Sequence, residues 1–240
     1  MKTYTIVYVL LALVIVSCSK SDANDSGGEN QKSSAADYAM LLSKDGLLST
    51  QFLNANASVI TLNPAESLLK EKPIPDLSSM NSPNFLQYHQ SGNCGGTLTK
   101  HDFSSEVSSE IMLFEDLNDC NLTATAIIES ANSIFISYVL ENTNPDSYMV
   151  RIIDATSSDF SFEEVILDKK PIDLAIANNK LFILTIDEQI TDENSLSVLD
   201  LGSNTLIHEI GLGYDAQRIF KDGNDNIIIS YEELHTTLNS

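Results

Sequence analysis

Ala131-Asn-Ser-Ile-Phe-Ile-Ser-Tyr138 returns in altered form as Ala177-Asn-Asn-Lys-Leu-Phe-Ile-Leu-Thr185 and again as Asp222-Gly-Asn-Asp-Asn-Ile-Ile-Ile-Ser-Tyr231. The separation is 47 positions from Ile136 to Ile183 and 46 from Ile183 to Ile229. Self-similarity at such a period marks stacked supersecondary units, each unable to bury its apolar face alone. In each copy an Asn- or Gly-bearing turn feeds an apolar run, which is the signature of a hairpin entering a strand.

Working outward, the first hairpin pairs residues 125–129 with 133–139, then 172–176 with 180–186, then 217–220 with 227–231. A second hairpin keeps the same period. Residues 149–154 lead into 162–167, and 196–200 lead through Gly202-Ser-Asn204 into 206–210. Asp154 to Asp200 is 46 positions, so two independent landmarks share one period. Upstream, residues 85–88, 97–102 and 109–114 read as a weaker copy with an insertion around Cys94. Residues 39–42, 46–50, 59–63 and 67–70 fit the same four-strand order as the weakest copy.

Four-stranded antiparallel units of about 46 residues predict an all-β, β-propeller-like fold. The alternative is a β-sandwich. The pattern resembles bacterial YVTN-type or surface-layer propellers, whose blades read as a turn, an apolar strand and a strand ending in Asp. Ile152-Ile153-Asp154 and Val198-Leu199-Asp200 carry that resemblance, although the family's own tetrapeptide is absent. It implies a scaffold for protein or ligand binding. About four units and a half fit between residues 37 and 240, which implies an incomplete ring or an open stack.

The first residues carry an address. Lys2 precedes an apolar run from Ile6 to Val16, too short to span a bilayer of roughly 30 Å as a helix but suited to a secretory signal. The run ends in Ile15-Val16-Ser17-Cys18, which resembles the lipobox of bacterial lipoproteins. That resemblance implies a signal peptide at 1–17, acylation of Cys18 with palmitate-like chains, and anchoring to the cell outer membrane. Several acyl chains give stable attachment where one holds only marginally. Residues 18–36, rich in Ser, Asn, Asp and Gly, read as a disordered tether. Within it Ser19-Lys-Ser-Asp-Ala-Asn-Asp25 is similar to the acidic segment behind the lipidated Cys of surface-exported lipoproteins of Bacteroidetes-type bacteria. The remaining span, 37–240, is the propeller-like domain.

Charge bounds the partners. With 13 basic and 34 acidic residues the formal charge is −21, which repels nucleic acid and anionic headgroups. Trp is absent and aromatics make up 7% of the chain, which argues against a carbohydrate-stacking groove. Expected partners are therefore the membrane, through lipidated Cys18, and a protein or extracellular ligand, with no nucleic acid.

Candidate chemistry is sparse. Cys94 and Cys120 are an even pair in an exported chain, so a disulfide is the natural reading. The rival is a metal set of His89, Cys94, His101 and Cys120, whose spacing matches no zinc pattern. Asp222, Asn224, Asn226 and Glu233 occupy the first, third, fifth and twelfth positions of an EF-hand-like calcium loop. The sixth position, which needs glycine, is Ile227, and the same residues fit the repeat as a hairpin turn. Gly211-Leu-Gly-Tyr-Asp-Ala216 has dinucleotide-fingerprint spacing but too little chain follows for a βαβ unit, so it reads as an inter-strand loop. Glu163-Glu164 and Glu232-Glu233 read as solvated carboxylates on strands. No nucleophile elbow or zinc-protease motif is present, and no catalytic residue or cofactor is expected. Three functions follow in order: a cell-envelope lipoprotein scaffold for binding; a propeller enzyme, lyase or hydrolase, with loop-borne acids; and a calcium-dependent adhesion module.

Overall fold

A computed structural model describes residues 38–56, 59–62, 72–81, 83–105, 107–118, 120–130, 132–141, 143, 145–156, 160–188 and 193–231. The expected signal peptide (1–17), Cys18, the expected tether (18–36), the strand expected at 67–70 and Glu232-Glu233 lie outside them. The described chain is all-β, with propeller-like four-stranded antiparallel sheets. It packs as two units. One takes the described residues up to Ile74 with 83–84 and 101–108; the other takes Pro75–Asn81, Phe85–Lys100 and the described residues from Ser109 onward.

In the first unit β1 (Tyr38–Lys44) and β2 (Leu47–Asn56) form a hairpin through Asp45 and Gly46, both at positive φ, followed by β3 (Val59–Leu62) on β2. The fourth strand departs from the expected order. β4 (Lys72–Pro73) pairs with the start of β2, not with β3, and proline's missing N–H confines such a segment to a sheet edge. Phe52 is buried and meets Phe103 edge-on at 5.8 Å.

The next sheet runs β5 (Leu77–Asn81), β6 (Asn84–Ser91), β7 (Gly95–Asp102) and β8 (Val107–Leu113). This corrects the sequence reading. Cys94 sits in the short β6–β7 turn and marks no insertion; the strand missing from the sequence pattern was β5, whose Ser-Ser-Met-Asn composition carries little apolar signal. The third sheet is β9 (Asn121–Ser130), β10 (Ser133–Glu141), β11 (Ser147–Asp154) and β12 (Phe162–Leu167). The fourth is β13 (Lys170–Ala177), β14 (Lys180–Ile186), β15 (Asn194–Asp200) and β16 (Thr205–Gly213), and β17 (Ala216–Lys221) with β18 (Ile227–Tyr231) forms a two-stranded fifth.

The repeat is visible in how strands are buried. β10 is covered on both faces. Ile134, Ile136 and Tyr138 pack toward the β5–β8 sheet, while Phe135 and Val139 join Leu174, Leu181 and Ile183 of the β13–β16 sheet. Double-sided burial explains why the second strands read as unbroken apolar runs, where a one-sided strand would alternate. Outer strands do alternate toward water or face it outright, as β16 does. Asn178 and Asn179, at φ 51° and 57°, make the β13–β14 turn, the left-handed pair that a tight hairpin demands.

Two devices bind the second sheet to the third. Arg151 of β11, buried, lies between the rings of Phe162 and Phe114 at 3.9 and 4.7 Å. It donates to both oxygens of Asp116, at 2.6 and 2.8 Å, and to Glu164 Oε1 from Nε and Nη2 at 2.9 and 2.6 Å. Tyr138 donates to the same Glu164 oxygen. Glu164 stays exposed on β12, as the sequence suggests, but it is paired: it lies opposite Arg151 in the β11–β12 register and supplies the counter-charge that the buried guanidinium requires. Hydrogen bonds from Arg151 draw the Asp116 carboxyl below its usual range, and burial followed by the Glu164 bond pushes the Tyr138 phenol up. The second device is the Cys94–Cys120 disulfide, with Cα atoms 5.4 Å apart, which fastens the β6–β7 turn to the lead-in of β9. Beside it Leu122 N–H donates to the Asn93 carbonyl at 2.8 Å and Gln90 Nε2 to the Leu122 carbonyl at 2.6 Å.

Gly96 is needed for contact: a Cβ there would lie 2.3 Å from the ring of Tyr88, which is fully buried. Gly96→Ala is predicted to cost about 1–3 kcal/mol in urea unfolding through overpacking. Arg151→Met strands two carboxylates that remain partly hydrated, so the expected loss is about 3 kcal/mol, the low end for a broken buried pair.

Candidate functional site

The first strands of successive sheets, β5, β9, β13 and β17, lie side by side. Their ends bring Met80 and Asn81, Ile128 to Ser130, Leu174 to Ile176, and Ile219 to Lys221 around one cleft of about 390 Å³. Each strand arrives there because its flanking side chains are held between sheets. Ile127 packs toward the second sheet, Leu174 toward the third, and Ala175 with Ile219 sits between the fourth and fifth.

Polar groups fix the walls to one another. Asn81 Nδ2 donates to the Glu129 carbonyl at 3.1 Å, tying β5 to β9. Ile219 N–H donates to Asp173 Oδ2 at 3.0 Å, and Ala216 N–H to Asn194 Oδ1 at 3.0 Å, so two side chains of the fourth sheet hold β17. Asp173 also accepts the Leu174 N–H at 3.0 Å, while Arg218 stands 3.9 Å away with its side chain mostly exposed. Burial raises the Asp173 carboxyl above its ordinary value and outweighs the N–H donors. At the rim Lys221 pairs with Asp225 at 2.8 Å.

Glu129 is the chemically unusual member. Its side chain is 2% exposed, one oxygen is paired with Lys100 of β7, and Oε2 has no hydrogen-bond partner among the described residues. An unmatched carboxylate oxygen in a dry site costs stability, of order 1–3 kcal/mol. The cleft joins an apolar wall of Met80, Ile128, Ile176 and Phe220 to a few polar groups, the usual composition of a binding site. Among the described residues Ser130 supplies a hydroxyl to its lining.

The residues singled out by sequence are placed elsewhere. Cys94 and Cys120 form the disulfide, which removes their thiols from the metal set with His89 and His101. Buried His101 is instead 2.7 Å from Ser108 through Nδ1. Asp222 organises the β17–β18 turn: it accepts the N–H groups of Asn224 and Asn226 and the Asn226 side-chain amide, all at 2.8 to 2.9 Å. Those donors hold its carboxyl below the usual range. Ile227 then begins β18, and the twelfth position, Glu233, lies outside the described residues. Among the described residues no group of three or more His, Cys, Asp and Glu is placed to hold a metal ion. The Gly211–Ala216 stretch is the end of β16 and the link to β17, an inter-strand connection. Glu163 accepts from Asn204 Nδ2 at 2.8 Å.

Sequence reasoning missed Lys100, Glu129, Arg151 and Asp173. The signal was there: Glu129 closes the run Ala-Ile-Ile-Glu, Arg151 interrupts Met-Val-Arg-Ile-Ile, and Asp173 interrupts Pro-Ile-Asp-Leu. A lone charge inside an apolar run, where both faces become covered, announces a buried partner.

No protein-family model matches the chain, and no curated protein matches it. Solved structures do. It is similar to hydrazine synthase of Kuenenia stuttgartiensis, with a TM-score of 0.54 and 9% identity over 81% of this chain and 68% of that one. Sqt1 of Saccharomyces cerevisiae aligns with a TM-score of 0.47 and 11% identity over 81% of this chain and 53% of the other. An apocarotenoid oxygenase mutant of Synechocystis aligns with a TM-score of 0.42 and 8% identity over 72% and 46%. The chain spans about two thirds of the first of these and about half of the other two. At 9% identity the first likeness speaks to the fold alone.

Asp173 yields a pH prediction. A carboxyl whose folded value exceeds its unfolded one contributes most below the ordinary 3.8, and that contribution is lost as pH rises through the raised value. Asp173→Asn keeps an acceptor for the Ile219 N–H and removes the titration. The variant's stability, followed by urea midpoints from pH 3.5 upward, is expected to lack the fall that wild type shows as pH rises above the ordinary 3.8.

Proposed function

We propose that this chain is a bacterial cell-envelope lipoprotein whose propeller-like scaffold binds a ligand in the cleft of the first strands. The supporting observation is that cleft. Four strands from four sheets end on one concavity, an apolar wall is joined to Asn81, Ser130 and Lys221, and no reacting pair lines it. Address and scaffold are separate parts of the reading. The lipobox ending at Cys18 supports attachment to the outer membrane, and the extreme negative charge supports a hydrated life outside the cytoplasm.

The address is tested by labelling cells with radioactive palmitate. Wild-type chain is expected to take up label and fractionate with membranes, and Cys18→Ala to lose both. Undiminished labelling of the variant would overturn the lipoprotein reading. The cleft is tested by Ile176→Arg, which places a charge on the apolar wall at a half-buried position. Native mass spectrometry of protein released from envelopes is expected to show a bound small molecule on wild type at higher occupancy than on the variant. Equal occupancy would place the ligand elsewhere on the scaffold.

A further inference from the structure

The link from the second sheet to the third is longer than the one that follows it. Seven residues, Phe114 to Cys120, separate β8 from β9, whereas two, Asp168 and Lys169, separate β12 from β13. The long link is fastened twice, at Asp116 by Arg151 and at Cys120 by the disulfide to Cys94. Leu117 N–H donates to the Phe114 carbonyl at 3.1 Å and closes a turn between them. The start of this link, with β8, β11 and the residues that lead into β12, lines a groove of about 380 Å³.

The groove is largely apolar. Ile111, Leu113 and Ile153 lie buried along it, and Phe160 and Phe162 line it from the third sheet. Phe162 gives its ring to Arg151 at 3.9 Å, yet the residue is still 43% exposed. Phe114 and Phe160 both hold positive φ, 66° and 48°, a conformation costly for a bulky side chain and one that gathers at ligand sites.

Its charge is one-sided. Among the described residues Arg151 is the one cation in the lining, and Asp116 and Glu164 answer it. Glu110 and Glu115 also line the groove; both are exposed and neither forms an ion pair among the described residues. An incoming anion would meet three carboxylates at this wall. A neutral molecule would fill the apolar part and leave Glu110 and Glu115 unanswered. A cation on an apolar body complements both.

We infer that this groove binds a small organic cation, an ammonium group carried on an aromatic or branched apolar body. The body rests on Ile111, Leu113 and Ile153 beside the Phe162 ring, and the carboxylates of Glu110 and Glu115 attract the ammonium. The groove shares no residue with the cleft of the first strands, and the inference is independent of that site.

The probe is 2-phenylethylammonium, titrated calorimetrically onto the full chain at low salt. Saturable binding is expected, weakened about fivefold or more for 2-phenylethanol, which has the body without the charge, and for methylammonium, which has the charge without the body. Replacing both carboxylates, Glu110→Gln with Glu115→Gln, alters exposed and unpaired side chains, so the melting curve is expected to match wild type while affinity falls about fivefold or more. Absence of saturable binding would overturn the inference. So would equal affinity for 2-phenylethanol, which would show that charge plays no part, or for methylammonium, which would show a cation held by the acidic surface at large. Undiminished binding to the double variant would overturn it too, as would loss of binding in Ile176→Arg, which would put the amine in the cleft of the first strands.

Discussion

Burial of the second strands on both faces is the constraint on which the rest of this structure depends. A sheet with one dry face stands once a single partner covers it; a sheet whose middle is apolar on both sides needs a neighbour before and after. β10 and β14 are such middles, with Ile134, Ile136, Leu181 and Ile183 fully buried. The hydrophobic gain, roughly 1.5–3 kcal/mol for each large side chain fully removed from water, is realised between sheets and hardly at all within one. Repetition is the cheapest way to meet that demand, because each unit supplies the cover that its predecessor lacks.

Polar side chains then set the spacing that apolar packing leaves loose. Asp173 and Asn194 catch two main-chain N–H groups of β17, Asn81 catches a carbonyl of β9, and Arg151 joins Glu164 of its own sheet to Asp116 in the link between β8 and β9. Apolar contacts are nearly indifferent to a small slide, whereas a directional bond to a buried group is not. Glu129 is the exception, with one oxygen matched and one unmatched, and it stands beside the cleft proposed to bind a ligand.

The repeat was legible because it rests on local patterns. Asn178-Asn179 announces a tight turn, Leu-Phe-Ile-Leu announces a strand, and a second landmark at the same period excludes chance. The all-β, propeller-like architecture followed from those two facts. β5 was illegible because its residues, Leu-Ser-Ser-Met-Asn, carry little apolar signal, with only Leu77 packed on the core and Met80 and Asn81 at the cleft, so the unit that contains it was read as a strand short with an insertion at Cys94. β4 was misplaced because pairing of two residues with the far end of β2 leaves no periodic trace. The cleft itself was unreadable: it is made of residues about 46 positions apart, each unremarkable in its own strand, that only stacking brings together. The lone charges were visible, but which partner each one finds depends on the neighbouring sheet.

The disulfide has a consequence for how the molecule comes apart. Stacked sheets that touch only their neighbours behave as a row of coupled units, and such a row can open at one place while the rest holds. Cys94 and Cys120 stitch the turn of one unit to the threshold of the next, at the same junction that Arg151 clamps by charge. Those two sheets therefore form the molecule's keel. From that junction, local opening is expected first at the two-stranded fifth sheet, and reduction of the disulfide is expected to loosen the second sheet from the third.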